Sequence, residues 1–313
     1  MSLAVKSALF IVGPTATGKS EIAADVAQKL DAEIISADAF QIYRGLDLLN
    51  AKPGATTLAK APHHLIGTMS ILEEMSAEKF RQLASRTLAE IHSRGKTAIV
   101  VGGSGLYVKV LTHGLTPVPS VDLKLRAQLN QLSPDELGAK LLDLDPQTKI
   151  DMKNRRRLVR AIEICLTTGQ PASAQRGEWN AVARIGDPGQ PASAMPATSF
   201  FVFRERDELY ERINRRVEAM FENGVIEEVR ATGTMSQTAS QMIGVREIRK
   251  LLDGRMSIFQ CVAAIQQATR RYAKRQLTWF RRQTNFRPLN LSLFSHKEAV
   301  TWISQLAKDL AVA

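Results

Sequence analysis

The stretch that most restricts this chain is Gly13-Pro14-Thr15-Ala16-Thr17-Gly18-Lys19-Ser20, a G-x-x-x-x-G-K-S pattern set between an apolar run at 7–12 (SALFIV) and helical periodicity over 20–30. Such a loop works where a strand feeds it and a helix leaves it. The glycines let successive backbone N–H groups wrap phosphate oxygens, and the helix N-terminus adds its dipole. In that geometry Lys19 reaches the terminal phosphate and the Ser20 hydroxyl ligates Mg²⁺. Further apolar runs at 32–36 (AEIIS), 97–101 (TAIVV) and 199–204 (SFFVFR) alternate with helical segments, notably 76–94. Alternation of this kind predicts an α/β fold with a parallel sheet.

The pattern changes in the middle. From about 121 to 168 it is helical throughout, with Ser133-Pro134 opening one helix. Residues 169–198 are rich in Pro, Ala, Ser and Gly, and PASA occurs at 171–174 and 191–194, which reads as a long loop rather than a structural repeat. The expected organisation is a P-loop NTPase-like α/β core, 1–115 with 199–313, carrying C-terminal helices and interrupted by a helical insertion over 116–198.

A parallel sheet collects ligands beyond the carboxyl ends of its strands. An NTPase usually has a second carboxylate at one such end to hold Mg²⁺ and its water, but TAIVV runs into Gly102-Gly103-Ser104-Gly105 and the acid, Asp38, follows another strand. Lys19, Asp38, Ser104 and Arg206 would therefore meet: a cation, a base, a metal-ligating hydroxyl and a second cation. That set suits a diphosphate whose departure is stabilised and a nucleophile that loses a proton. Taken singly, Asp38 also reads as a loop acid, Ser104 as a turn residue and Arg206 as a surface ion-pair partner.

The formal net charge of +11 points to a polyanionic partner. The charge is clustered: Lys153, Arg155, Arg156, Arg157 and Arg160 form one tract, and Arg270, Arg271, Lys274, Arg275, Arg281, Arg282 and Arg287 another with no acid among them. On the second, Ile258, Cys261, Val262, Ile265 and Tyr272 mark an apolar helix face, so the basic residues form a stripe flanked by Tyr272, Trp279 and Phe280. No apolar run is long enough to span a membrane, and Lys6 before a short apolar stretch lacks a cleavage signature, so a cytoplasmic protein is expected. Cys165 and Cys261 read as buried thiols of a reducing compartment. His63-His64 has no further ligand at metal spacing and reads as a turn or packing feature.

With these motifs in view, the chain resembles the tRNA dimethylallyltransferases (tRNA isopentenyltransferases) of bacterial type. GPTATGKS (13–20), SADAFQIYRGLDLLNAKP (36–53), PHHLIG (62–67), GGSGLY (102–107), RLVRAIEI (157–164) and TRRYAKRQLTWFR (269–281) occur in that family's order and spacing. The resemblance implies transfer of a dimethylallyl group from dimethylallyl diphosphate to the exocyclic amine of the adenosine 3′ of the anticodon, with Mg²⁺ as cofactor, the tRNA anticodon stem-loop as partner, no membrane, and a monomer. Residues Gly13, Pro14, Thr15, Ala16, Thr17, Gly18, Lys19 and Ser20 would hold the diphosphate, Ser20 and Ser104 the metal and leaving group, and Arg206 would be a second diphosphate cation. Asp38 would be the general base, with Ala39, Phe40 and Gln41 around the target base. Arg126, Arg156, Arg157, Arg160 and the run Gln241, Met242, Ile243, Gly244, Val245 and Arg246 look like the family's tRNA contacts, joined by Arg271, Lys274 and Arg275 of the basic helix. The chain departs from the family pattern at Leu49-Asn50, Asp151 to Asn154, Val245 and Ala39. A prenyltransferase acting on free adenine nucleotides and a P-loop small-molecule kinase are the alternatives; neither accounts for the basic helices.

Overall fold

A computed structural model describes residues 8–114, 122–174, 199–283 and 286–312. In chain order the first part contains β1 (Leu9–Val12), α1 (Lys19–Leu30), β2 (Ala32–Ser36), α2 (Ala55–Leu58), β3 (His63–His64), α3 (Ala77–Ser93), β4 (Thr97–Gly102) and α4 (Gly105–His113). Three helices follow, α5 (Leu123–Leu129), α6 (Pro134–Leu144) and α7 (Arg155–Thr168). The chain then forms β5 (Ser199–Phe203), α8 (Arg206–Glu222), α9 (Val225–Arg230), α10 (Val245–Leu252), α11 (Ile258–Arg281), β6 (Arg287–Asn290) and α12 (His296–Val312).

The six strands form one sheet in the order β3-β2-β4-β1-β5-β6, every neighbouring pair parallel. The four apolar runs read from the sequence are its four inner strands. The two edges, β3 and β6, escape that reading because an edge strand needs little apolar content: His63-His64 and Arg287-Pro288-Leu289-Asn290 use a polar pair and a proline instead. β1 is buried along its whole length between β4 and β5, so the loop it feeds emerges from the middle of the sheet. α1 covers β1 with Ile22, Ala23, Ala24, Val26 and Ala27, alanines that let helix and sheet approach closely, and α12 packs beside it.

The described residues fall into two compact units, 8–112 with 199–312 and 113–174. The second unit has its own core, in which Leu129, Leu137, Leu141, Leu158, Ile162 and Cys165 meet. Ser133 opens α6 as the sequence indicates: its side chain accepts from Glu136 N–H, the Glu136 carboxylate accepts from Ser133 N–H, and Pro134 fills the first turn. Most of the Pro/Ala/Ser-rich stretch, 175–198, and the junction at 115–121 lie outside the described residues.

α11 runs unbroken for 24 residues from a Ser257–Gln260 capping box. Its buried face is Cys261, Ile265, Thr269, Ala273, Gln276 and Phe280. Ile258, expected on that face, is 56% exposed because burial begins only at Cys261. Tyr272 is half-buried and contributes to the site described next.

Candidate active site

The loop between β1 and α1 is held open by capturing its carbonyls from outside. Arg212 Nε donates to Ala16 O at 2.8 Å and Arg204 Nε to Thr17 O at 2.8 Å, while Thr17 Oγ1 and Lys19 Nζ both donate to Pro14 O. Gly18 sits at φ 90 and Ala16 at φ 65. The alanine accepts a left-handed conformation that costs a non-glycine residue roughly 1–2 kcal/mol, a strain consistent with a loop shaped for a ligand. One N–H is already committed: Thr15 N donates to Gln276 Oε1 on α11 at 2.9 Å.

Beyond this loop lies a cavity of about 440 Å³, lined on one side by Thr15, Gly18, Lys19 and Ser20 and on another by Asp38, Gln41 and Lys52. Asp38 begins the segment after β2. Its Oδ1 accepts from Phe40 N at 2.9 Å and Gln41 N at 3.3 Å, a turn that orients the carboxyl and leaves Oδ2 outside these bonds. The segment is knotted at three further points. Lys52 Nζ donates to Tyr43 O and Gly45 O and pairs with Asp47. Gln41 Nε2 donates to Ala51 O at 3.1 Å. Glu228 of α9 accepts from both Leu48 N and Leu49 N at 2.9 Å.

α8 supplies the cations. Arg212, Arg215 and Arg216 stand at i, i+3 and i+4, hence on one face, and all three line the cavity. Arg216 Nε is buried without a hydrogen-bond partner among the described residues. Burial lowers the Arg216 pKa to about 10 and that of Lys19 to about 8; for Lys19 the opposing attraction of Asp38 is the next largest influence, followed by repulsion from Arg216. Cations desolvated against one another in this way have a deficit of negative charge that an incoming diphosphate would supply.

The placement of Arg206 corrects the sequence expectation. It is the first residue of α8, exposed, with its guanidinium 5.2 Å from the Tyr210 ring centroid, and it lines neither cavity. The helix reaches the cavity only about two to three turns further on, so the inward cation is Arg216, which no local signal in NRRVEAMFE distinguishes from its neighbours. Ser104 is also displaced from its expected role as a metal ligand. It is 9% exposed, lines neither cavity, and its Oγ accepts from Ala39 N at 3.0 Å, so it orders the Asp38 segment from behind.

The Gly-rich run after β4 serves α11. A Cβ on Gly103 would stand 2.2 Å from Gln276 Nε2, and one on Gly105 2.6 Å from the Trp279 ring. The space is used: Gln276 Nε2 donates to Gly103 O at 2.8 Å while its Oε1 holds Thr15. One turn earlier, Tyr272 lines a smaller chamber together with Thr15, Asp38, Phe40, Leu49 and Arg216. Gln276 is a neutral residue within a basic helix and carries no sequence signal of its own, while Tyr272 is legible only as part of the helix's apolar face. His63 contributes to the wall of the larger cavity, its Nδ1–H donating to Ala61 O, rather than serving only as packing.

The expected RNA-contacting residues divide. Arg271, Lys274 and Arg275 are exposed on α11, and Arg156 and Arg157 are exposed on α7. Arg126 makes a two-pronged pair with buried Glu163, and Arg160 joins the same carboxylate at 3.1 Å. Of the 241–246 run, Gln241 and Arg246 are exposed, the latter paired with Glu247, while Met242, Gly244 and Val245 are buried and Ile243 lines the smaller chamber. Gly244 is at φ 103, where a Cβ would come within 2.6 Å of Leu49 Cδ1. Among the described residues no cluster of three or more His, Cys, Asp or Glu could hold a metal, and no helix is long and apolar enough to cross a membrane.

Comparison with known proteins identifies the family. The family model for IPP transferase matches residues 41–283. The chain is 42% identical over 279 residues to "tRNA dimethylallyltransferase 1" of Citrifermentans bemidjiense, covering 87% of this chain and 88% of that one. It is 40% identical to the tRNA dimethylallyltransferase of Akkermansia muciniphila, covering 91% and 93%. Among solved structures, the full-length tRNA isopentenylpyrophosphate transferase of Bacillus halodurans superposes with a TM-score of 0.69 at 33% identity, covering 97% of each chain. A eukaryotic dimethylallyltransferase shares the fold, with a TM-score of 0.79 at 24% identity. With the family model matching more than half of the chain and these relatives aligned over most of its length, the chain belongs to the IPP transferase family.

Proposed function

We propose that this protein transfers a dimethylallyl group from dimethylallyl diphosphate to the exocyclic amine of the adenosine 3′-adjacent to the anticodon of tRNA, releasing diphosphate. The observation that carries the reading is that one cavity is lined both by the phosphate loop with Lys19 and Arg216 and by the Asp38 carboxylate. An adenine amine is a weak nucleophile, because its lone pair is delocalised into the ring. An allylic diphosphate compensates when its departure is neutralised. The donor's C1–O bond breaks, Lys19 and Arg216 hold the departing diphosphate, the adenine nitrogen bonds C1, and its proton passes to Asp38 Oδ2.

Mg²⁺ fits this cavity through Ser20, which lines it. Mg²⁺ commonly takes one or two protein oxygens and completes its shell with substrate phosphates and water, so the absence of a carboxylate cluster among the described residues does not count against it. Bound there, the ion would add to the charge that stabilises the diphosphate. The substrate RNA would lie along exposed basic residues such as Arg271, Lys274 and Arg275, with its target base withdrawn from the anticodon-loop stack. In this reading the protein works as a monomer on tRNA in the cytoplasm.

Incubation with dimethylallyl diphosphate, Mg²⁺ and total tRNA, followed by nucleoside mass analysis, tests the assignment. The expected product is adenosine heavier by one dimethylallyl unit, with diphosphate released in equal amount. ADP formed from ATP with no prenylated nucleoside would establish the kinase reading instead.

A further inference from the structure

The smaller chamber has an apolar wall formed by Phe40, Leu49, Val217, Met220, Ile243 and Ile265. Asp38, Tyr272 and Thr15 of the phosphate loop line it as well, and the Asp38 carboxylate is near enough to the Tyr272 phenol to act on it electrostatically. These two groups have opposite hydrogen-bonding character: an ionised carboxylate only accepts, whereas a phenol carries a proton to donate.

Tyr272 is held in place. One turn along α11, Gln276 is fixed at both ends of its amide by Gly103 O and Thr15 N–H. The Arg275 guanidinium stands 5.7 Å from the Tyr272 ring centroid, and the hydroxyl lies beside the side chains of Ser104 and Gln276. Burial, and then the nearby Asp38 charge, push the phenol's pKa up, so it keeps its proton at neutral pH and remains a donor.

An acceptor beside a donor is the complement of adenine. Adenine offers its amine N–H next to an unprotonated ring nitrogen on either of its amine-bearing edges, whereas guanine has a carbonyl oxygen at the amine's position. We propose that Tyr272 is a base-reading residue: its hydroxyl donates to a ring nitrogen of the target adenine while Asp38 accepts from the adjacent amine. This rests on the transfer reaction proposed above and assigns to α11 a direct part in choosing the base.

The pairing is tested with Tyr272→Phe and with anticodon stem-loop RNAs carrying 1-deazaadenosine or 7-deazaadenosine at the target position, each of which removes one ring nitrogen. Tyr272→Phe is expected to lower kcat/KM for the adenosine RNA about tenfold. Its donor KM and RNA dissociation constant should stay within about twofold of wild type. One deaza substrate should show a similar loss with wild-type enzyme and no additional loss with Tyr272→Phe, since the same hydrogen bond is removed from either side. Fully multiplicative losses with both analogues would overturn the proposal. So would wild-type turnover of both analogues at the adenosine rate, a measurement that does not depend on the variant folding. If wild-type enzyme fails to prenylate the adenosine RNA at all, it is the transfer reaction that fails.

Discussion

Two regions of this protein gather arginines, and they treat the charge in opposite ways. In the helical unit, Arg126 and Arg160 converge on Glu163, whose side chain is 3% exposed, and the positive charge is neutralised within the fold. In the cavity, Arg212, Arg215, Arg216 and Lys19 converge with Asp38 and Glu21 as the acids in the lining, Arg216 Nε has no partner among the described residues, and two of the cations have lowered pKa values. A buried guanidinium N–H without a hydrogen-bond partner is costly. Its persistence marks a place where the missing partner is a ligand, whereas a satisfied pair marks architecture.

The contrast can be broken most forcefully at Asp38. Asp38→Ala should lower kcat by about 10²–10⁴-fold and leave the RNA dissociation constant within about twofold. Wild-type-like turnover would remove the base from the mechanism. Next is Arg216→Gln, which should cost about 10²–10³-fold in kcat/KM for the donor without lowering the melting temperature, since it removes a desolvated cation. A large loss of stability would instead place Arg216 with the architectural arginines. Replacing Arg271, Lys274 and Arg275 together by Gln should weaken RNA binding and flatten the log–log salt dependence by about two to three, measured by titration at several ionic strengths.

Lys19 gives the contrast a pH signature. With a folded pKa near 8 against an ordinary 10.5, the unfolded chain holds more protons between those values, so stability of the free protein should rise as pH increases through that window. Over the same window the ammonium that meets the diphosphate is lost. Donor binding should therefore weaken above about pH 8 and take up a proton, as calorimetry in buffers of different ionisation enthalpy would show. The smallest expected effect is Glu163→Gln, about 1–2 kcal/mol of stability by denaturant melting, because its arginine partners retain access to water. A change in donor KM there would erase the distinction between the two regions.

What the sequence disclosed follows from how local each signal is. The phosphate loop, its strand and its helix are adjacent in sequence, so eight residues reveal all three, and the inner strands announce themselves by continuous apolar runs. Asp38 is legible because it follows a strand end. Arg216 is not, since its inward direction is set by the rotation of α8 against the loop, and Arg206, just past the strand end, is the choice the sequence offers although it lines neither cavity. Ser104 is read as a ligand because it follows the carboxyl end of an apolar strand, yet the glycines around it make room for Gln276 and Trp279. The apolar face of α11, Tyr272 included, is visible in its periodicity, but the periodicity does not show that this tyrosine lines a chamber, and the buried Gln276 that pins a distant loop has no pattern to betray it.

The bond from Thr15 N to Gln276 Oε1 joins residues 261 positions apart. On a ribosome adding roughly 5–20 residues per second, the phosphate loop leaves the exit tunnel about 13–50 seconds before the glutamine that will pin it. Through most of its synthesis the nascent chain therefore carries the recognisable motif without the finished anion site, and the enzyme becomes competent only as about its last eighth is made.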